Sequence, residues 1–137
     1  MPSLSGGCLC GGVRIELTEP PAAASYCHCT RCQRRTGTAA SAQARVVPGS
    51  LRIVVGAELV RSYQPPDGFA KAFCSVCGSA LWSIDPEGNI SGVRLGAFDD
   101  DPGVRPSYRQ YVTYAATWEP IPDDGLPRFP ERRPPEP

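Results

Sequence analysis
The sequence contains one histidine, and no charge of either sign predominates: 14 basic residues face 14 acidic ones in 137 positions. No apolar run approaches the ~18 residues of a membrane span. The stretch from Met1 to Gly7 lacks both the basic and the apolar parts of a secretory leader. No basic stripe is present, and Arg132-Arg133 falls in a Pro-rich stretch. These absences argue against nucleic acid and anionic membranes as partners and predict a cytoplasmic protein. Internal repeats are absent as well. In a reducing compartment the seven cysteines are not expected to form structural disulfides, and an odd count leaves one thiol over under any full pairing.

Proline and glycine are abundant, at 16 and 14 residues. Each proline removes a backbone donor and disfavours helix before it, so short strands and many turns are expected. The length suits one domain, taken as 1–130, with 131–137 as a Pro-rich tail. Val13, Ile15 and Leu17 alternate with Arg14, Glu16 and Thr18, the period of a half-buried strand. Tyr26 to Cys32 reads as a cysteine-rich loop leading into a short turn. Strands are expected at Thr38–Val47, Phe69–Phe73, Ala80–Ile84, Ile90–Phe98 and Tyr108–Tyr114. Leu51–Val55 and Leu59–Tyr63 flank Gly56-Ala57-Glu58, which predicts a hairpin. From Pro120 onward an extended surface segment or disorder is expected.

The cysteines fall into three clusters: Cys8-Leu9-Cys10, Cys27-His28-Cys29-Thr30-Arg31-Cys32 and Cys74-Ser75-Val76-Cys77-Gly78. Cys8 and Cys10 lie on one side of an extended segment, and a Cys-x-x-Cys turn wraps two sulfurs around one ion. Each pair fills half a tetrahedron, so the pairs at 8/10 and 74/77 would together close a Cys₄ zinc site. Cys27, Cys29 and Cys32 offer three thiolates, which leaves one position open for water or an incoming thiol. Three thiolates blunt zinc as a water-activating acid, which favours thiol chemistry over hydrolysis. A purely structural role for both clusters is the rival reading, and a thioredoxin-type redox role would need a strand–helix context. His28 has three readings: a fourth ligand, a general acid/base, or a surface spacer.

The motifs Gly6-Gly7-Cys8-Leu9-Cys10-Gly11, Cys27 through Arg34, Phe73 through Ser79 and Leu95-Gly96-Ala97-Phe98-Asp99 resemble the Gfa family of glutathione-dependent formaldehyde-activating enzymes, which also includes centromere protein V. Pro106 to Trp118 resembles the family's penultimate segment. The resemblance implies a mainly β fold of several coiled sheets around a structural zinc, similar to methionine sulfoxide reductase B and to a zinc chaperone of Rab GTPases. It implies two zinc ions per chain, one on Cys8, Cys10, Cys74 and Cys77 and a catalytic one on Cys27, Cys29 and Cys32. The implied activity is that of a carbon–sulfur lyase joining glutathione and formaldehyde into S-hydroxymethylglutathione. The chain departs from the family where a histidine and a lysine are often found; Arg109 and Ala115 stand there. Arg31, Arg34 and Arg35, with His28, are candidate helpers that would attract the carboxylates of a thiol such as glutathione, or else form a solvated basic turn. The alternative function is a non-catalytic glutathione carrier or protein-interaction module.

Overall fold
The computed structural model describes residues 3–135; Met1, Pro2 and the last two positions of the expected tail lie outside the described residues. The strands are β1 (Leu4–Gly7), β2 (Arg14–Leu17), β3 (Ala23–Cys27), β4 (Ser41–Arg45), β5 (Leu51–Val55), β6 (Val60–Tyr63), β7 (Ala70–Cys74), β8 (Ala80–Ile84), β9 (Ile90–Arg94) and β10 (Pro106–Gln110). One short helix, α1 (Thr30–Thr36), follows β3. A three-stranded sheet runs β1-β2-β5, and a seven-stranded sheet runs β10-β3-β4-β9-β8-β7-β6. All pairings are antiparallel except β10 with β3. The mainly β class expected from the sequence is the one observed.

Side-chain alternation gives the large sheet two unlike faces. Register aligns Ala24, Ala44, Val93, Trp82 and Ala72 in one cross-strand row. All five are buried, and the last three join Val13, just before β2, and Ile15 and Leu17 of the small sheet in the core. An extra residue in β8 between the Ala72–Trp82 and Phe73–Ala80 pairs lets Leu81 and Trp82 both enter that core. Burying these side chains stabilises the fold by roughly 1.5–3 kcal/mol for each of the larger ones. The neighbouring rows point the other way. Ser25, Gln43 and Arg94 form one, and Ala23, Arg45, Gly92, Ser83 and Lys71 form the other. This second face is polar and cationic, and it carries the cleft described below.

Several local expectations are corrected. Leu51–Val55 and Leu59–Tyr63 do not form a hairpin: β5 pairs with β2, while β6 pairs with β7 in the other sheet. Gly56 explains the departure. Its φ is +87°, and a Cβ there would lie 1.9 Å from the Gly12 carbonyl oxygen. The chain therefore crosses tightly over the β1–β2 turn, and a 3₁₀ turn at Ala57–Leu59 carries it to the other sheet. Tyr26 and Cys27 belong to β3, and the expected loop continues into α1. The strand expected to reach Phe98 ends at Arg94. That expected at 108–114 starts at Pro106 and ends at Gln110, because Tyr111 turns to φ 56°. Strand β1 was not foreseen. The stretch after Pro120 is extended, and it is hydrogen-bonded to β10: the Arg109 amide donates to Pro127 O at 2.9 Å and the Phe129 amide to Arg109 O at 2.8 Å.

Candidate metal centres and the adjoining cleft
Two tight turns build the first centre. In the β1–β2 turn the Gly11 amide donates to Cys8 O and the Cys8 amide to Val13 O, each at 3.1 Å. In the β7–β8 turn the Gly78 amide donates to Cys74 O at 2.8 Å. The Leu9 amide ties the turns together by donating to Ser79 Oγ at 2.9 Å. The Sγ atoms of Cys8, Cys10, Cys74 and Cys77 consequently lie within 4.8 Å of one another. The Cys8–Cys10 and Cys10–Cys74 sulfur separations are 3.6 and 3.9 Å. A tetrahedral ion with sulfurs at ~2.3 Å separates them by about 3.8 Å, so the four thiols fit such an ion. Backbone amides of Val13 and Gly12 point at Cys8 and Cys10 at 3.2 and 3.4 Å; the Cys8 thiol is lowered, whereas Cys10 is pushed up to about 11 by its sulfur neighbours, Cys8 first, against the Gly12 amide. The hydroxyl and amide of Ser79 pull the Cys77 thiol down to about 5.

The second centre sits where β3 hands over to α1. Cys27 ends β3, Cys29 caps the helix, and Cys32 lies in its first turn. The Cys32 amide donates to Cys29 Sγ at 3.3 Å, a sulfur serving where Ser or Asp usually caps. Gly37, at φ 69°, ends the helix after seven residues. Gln33 Nε2 donates to His28 O at 2.8 Å and Tyr114 O at 2.9 Å, fixing the helix beside the end of β10. The three Sγ atoms lie within 4.8 Å of one another, and among the described residues no further His, Cys, Asp or Glu ligand atom joins them. The group therefore provides three ligands and leaves a position open. Hydrogen bonds from Cys27 and Cys29 hold the Cys32 thiol well below its usual range, helped by the Ser41 hydroxyl and the Arg94 charge. Cys27 is pushed far up by Cys29, by Cys32 and by burial.

This triad opens on a cleft of ≈ 1160 Å³ over the polar face of the large sheet. Arg94 lies at its floor, 9 % exposed, donating to Gln43 Oε1 at 2.9 Å and Ser83 Oγ at 3.0 Å. Lys71 lines the cleft as well, and burial pulls its ammonium below the usual lysine value. Neither residue was singled out in the sequence. Their positions could have been found only by knowing the β7–β8–β9–β4 register. Tyr111, the one non-glycine residue with positive φ among those described, also faces the cleft.

The other candidates distribute differently. His28 is buried beside Arg109, whose Nη1 lies 3.1 Å from His28 Nε2. Its imidazole is not gathered with the thiols, so it is neither a ligand nor a surface spacer. Burial and the Arg109 charge lower its pKa and keep it neutral. Arg31 reaches the cleft but is engaged by Asp67, at 2.7 Å to the carbonyl and 2.5 Å to the carboxylate. Arg35 turns under α1 and donates to Ala72 O at 2.7 Å and Trp82 O at 2.9 Å; burial and Arg94 push it down to about 10. Arg34 and Arg35 line a neighbouring cavity of ≈ 600 Å³, not the thiol cleft. Arg109 packs over Tyr26 at 4.2 Å and pairs with Asp124 at 2.7 Å, on the face opposite the cleft.

Fold and site thus define a mainly β protein with two cysteine groups that could each hold a metal ion. Residues 3–114 match the family described as glutathione-dependent formaldehyde-activating enzyme, and the chain belongs to that family. A curated protein of Halomonas elongata, named "Putative glutathione-dependent formaldehyde-activating enzyme", is 36 % identical over 89 residues, or 61 % of this chain. The match spans 57 % of that relative's length. A crystal structure of a Rhodobacter sphaeroides protein aligns with a TM-score of 0.54 at 29 % identity, covering 91 % of this chain and 98 % of the other. Among the described residues no helix is long and apolar enough to cross a membrane.

Proposed function
We propose that the chain is a zinc-dependent carbon–sulfur lyase-like enzyme that joins a small thiol such as glutathione to an aldehyde such as formaldehyde, resembling S-(hydroxymethyl)glutathione synthase. In this reading Cys8, Cys10, Cys74 and Cys77 hold a structural zinc, and Cys27, Cys29 and Cys32 hold a second, catalytic one. The observation that carries it is a group of three thiols, without a fourth protein ligand among the described residues, opening on a large cationic cleft. The family and the name of the Halomonas relative support the choice of substrates.

Zinc bound by the triad supplies an open coordination position and favours the thiolate form of an incoming thiol. The chain's own residues shape the rest. Arg94 and Lys71 offset the negative charge of the thiolates and hold a carboxylate-bearing substrate over them. Burial raises the pKa of the Tyr111 phenol and keeps it protonated, and it serves as the O–H donor toward the aldehyde oxygen. In the addition a carbon–sulfur bond forms and the carbonyl π bond breaks. The proton leaving the thiol is balanced by one gained at the former carbonyl oxygen, so no oxidant or reductant is required.

Calorimetry on zinc-loaded protein in two buffers of different ionisation enthalpy tests this. Glutathione and mercaptoethanol should both release a proton on binding, and binding should tighten as pH rises toward the thiol pKa of roughly 8.5. Y111F should bind thiol normally yet form the adduct about a hundredfold more slowly. Absence of heat and proton release with both thiols would leave a non-catalytic zinc-stabilised module as the reading.

A further inference from the structure
The thiol cleft has a smaller neighbour on the far side of Arg31 and Lys71, which line both; this cavity measures ≈ 600 Å³. Strand register builds its floor. β6 is the edge of the seven-stranded sheet, and it pairs Tyr63 with Lys71 and Arg61 with Phe73. Residues two apart in a strand share a face, so Tyr63, Lys71 and Phe73 stand on one side of β6–β7. Ala72 and Cys74 stand on the other side, in the core. The pairing of Phe73 with Ala80 extends the floor onto β8. Pro65 and Pro66 close the end beyond β6, with Pro65 buried. The remaining wall comes from α1, where Arg31, Arg34 and Arg35 fall at i, i+3 and i+4 on one helix face. The volume lies within the roughly 300–1,000 Å³ of small-molecule sites.

The arginines of this wall are not equivalent. Arg31 is bound to Asp67, and Arg35 donates to the Ala72 and Trp82 carbonyls. Arg34 is exposed and makes no ion pair among the described residues. Among those residues no carboxylate lines the cavity. Tyr63 is 61 % exposed, so a large ring stands uncovered beside an unpaired guanidinium. A guanidinium holds a carboxylate through two parallel N–H···O bonds, and aromatic rings pack on flat apolar bodies. The combination suits one ligand chemistry, a planar ring that carries a carboxylate.

We propose that this cavity is a second ligand site, separate from the thiol cleft, and that it binds an aromatic carboxylate. The ring lies against Tyr63 and Phe73, and Arg34 holds the carboxylate. No thiol takes part, so the site stands whether or not the Cys27/Cys29/Cys32 group binds thiols.

The test is an NMR titration of the full-length, zinc-loaded protein with 2-naphthoate, read at the backbone amides of Arg34, Tyr63 and Phe73. Those amides should shift and saturate together. R34A keeps the fold, since Arg34 is exposed and alanine is a good helix former. It should weaken 2-naphthoate about tenfold, and R34K should weaken it less, because the charge remains while the fork is lost. Neutral 2-naphthalenemethanol should bind the wild type about tenfold more weakly than 2-naphthoate and be indifferent to R34A. Hexanoate, which has the carboxylate without the ring, should also bind more weakly. R132A, on the wall of the thiol cleft, should leave 2-naphthoate affinity unchanged. Unshifted amides, equal 2-naphthoate affinity in wild type and R34A, or a loss caused by R132A in place of R34A overturns the site. Hexanoate or 2-naphthalenemethanol binding as tightly as 2-naphthoate overturns the ligand class.

Discussion

At the scale of single residues, Arg109 shows how position changes the meaning of a substitution. It stands where the family resemblance suggests a histidine, and that departure bears on substrate if the side chain faces the thiols. It faces the other side. Tyr108 and Gln110 line the cleft, whereas Arg109 is 7 % exposed, stacked on Tyr26 and held by Asp124 through Nε at 3.1 Å and Nη2 at 2.7 Å. Its work is to hold the segment after Pro120 against β10, with His28 as a neutral neighbour. The pair carries a pH signature. Hydrogen bonds from Arg109 hold the Asp124 carboxyl below its usual value. A carboxylate with a depressed folded pKa contributes stability above the unfolded value of ~3.9, and that contribution is lost as pH falls through the folded pKa. D124N should therefore lower the melting temperature at neutral pH and flatten the acid limb of a stability–pH profile below about pH 4. Identical acid limbs in wild type and variant would show that the pair does not stabilise the fold.

At the scale of elements, the two centres differ in what surrounds them. The Cys8/Cys10 and Cys74/Cys77 turns join β1–β2 to β7–β8, and Cys74 and Leu81 belong to the core. An ion held there ties the two sheets together, so its binding free energy is folding free energy. The triad instead spans a strand end and a seven-residue helix, none of whose residues is fully buried. C77S should aggregate or lose its melting transition, whereas C29S should stay folded and retain one zinc where the wild type should bind two. Elemental analysis with circular dichroism separates the cases, and equal destabilisation by both substitutions would overturn the division of roles. C29S also removes the cap that accepts the Cys32 amide, although serine can cap in its place.

At the scale of the whole molecule, the seven-stranded sheet is a partition. Over β7, β8 and β9 one face is sealed by the three-stranded sheet and is apolar; the other is open, polar and cationic. The closed four-thiol centre adjoins the first and the three-thiol centre the second. Chelator titration should consequently remove metal in two stages. The first should leave the β signal intact, since a three-ligand site open to the cleft loses its ion more easily. The second should coincide with unfolding. A single concerted release and unfolding step would contradict the independence of the two centres.

What the sequence determined alone was whatever depends on spacing over a few residues. The cysteine clusters, the β-rich character, the alternation at Val13–Leu17 and the turn at Cys74–Gly78 are local, because periodicity and Cys-x-x-Cys geometry act over one or two turns of backbone. The grouping of Cys8 and Cys10 with Cys74 and Cys77 followed from the same chemistry, since each pair supplies only half a tetrahedron. Tertiary structure decided the rest. The Leu51–Tyr63 pattern resembles a hairpin, yet a close backbone approach at Gly56 sends its two halves to different sheets. Arg34 and Arg35 stand next to the thiols in sequence and face another cavity, while Arg94, Lys71 and Arg132 converge on the thiol cleft from distant strands and from the segment after Pro120. Strand register and the docking of an extended segment on a sheet edge depend on partners far along the chain, and no local pattern in the sequence specifies those partners.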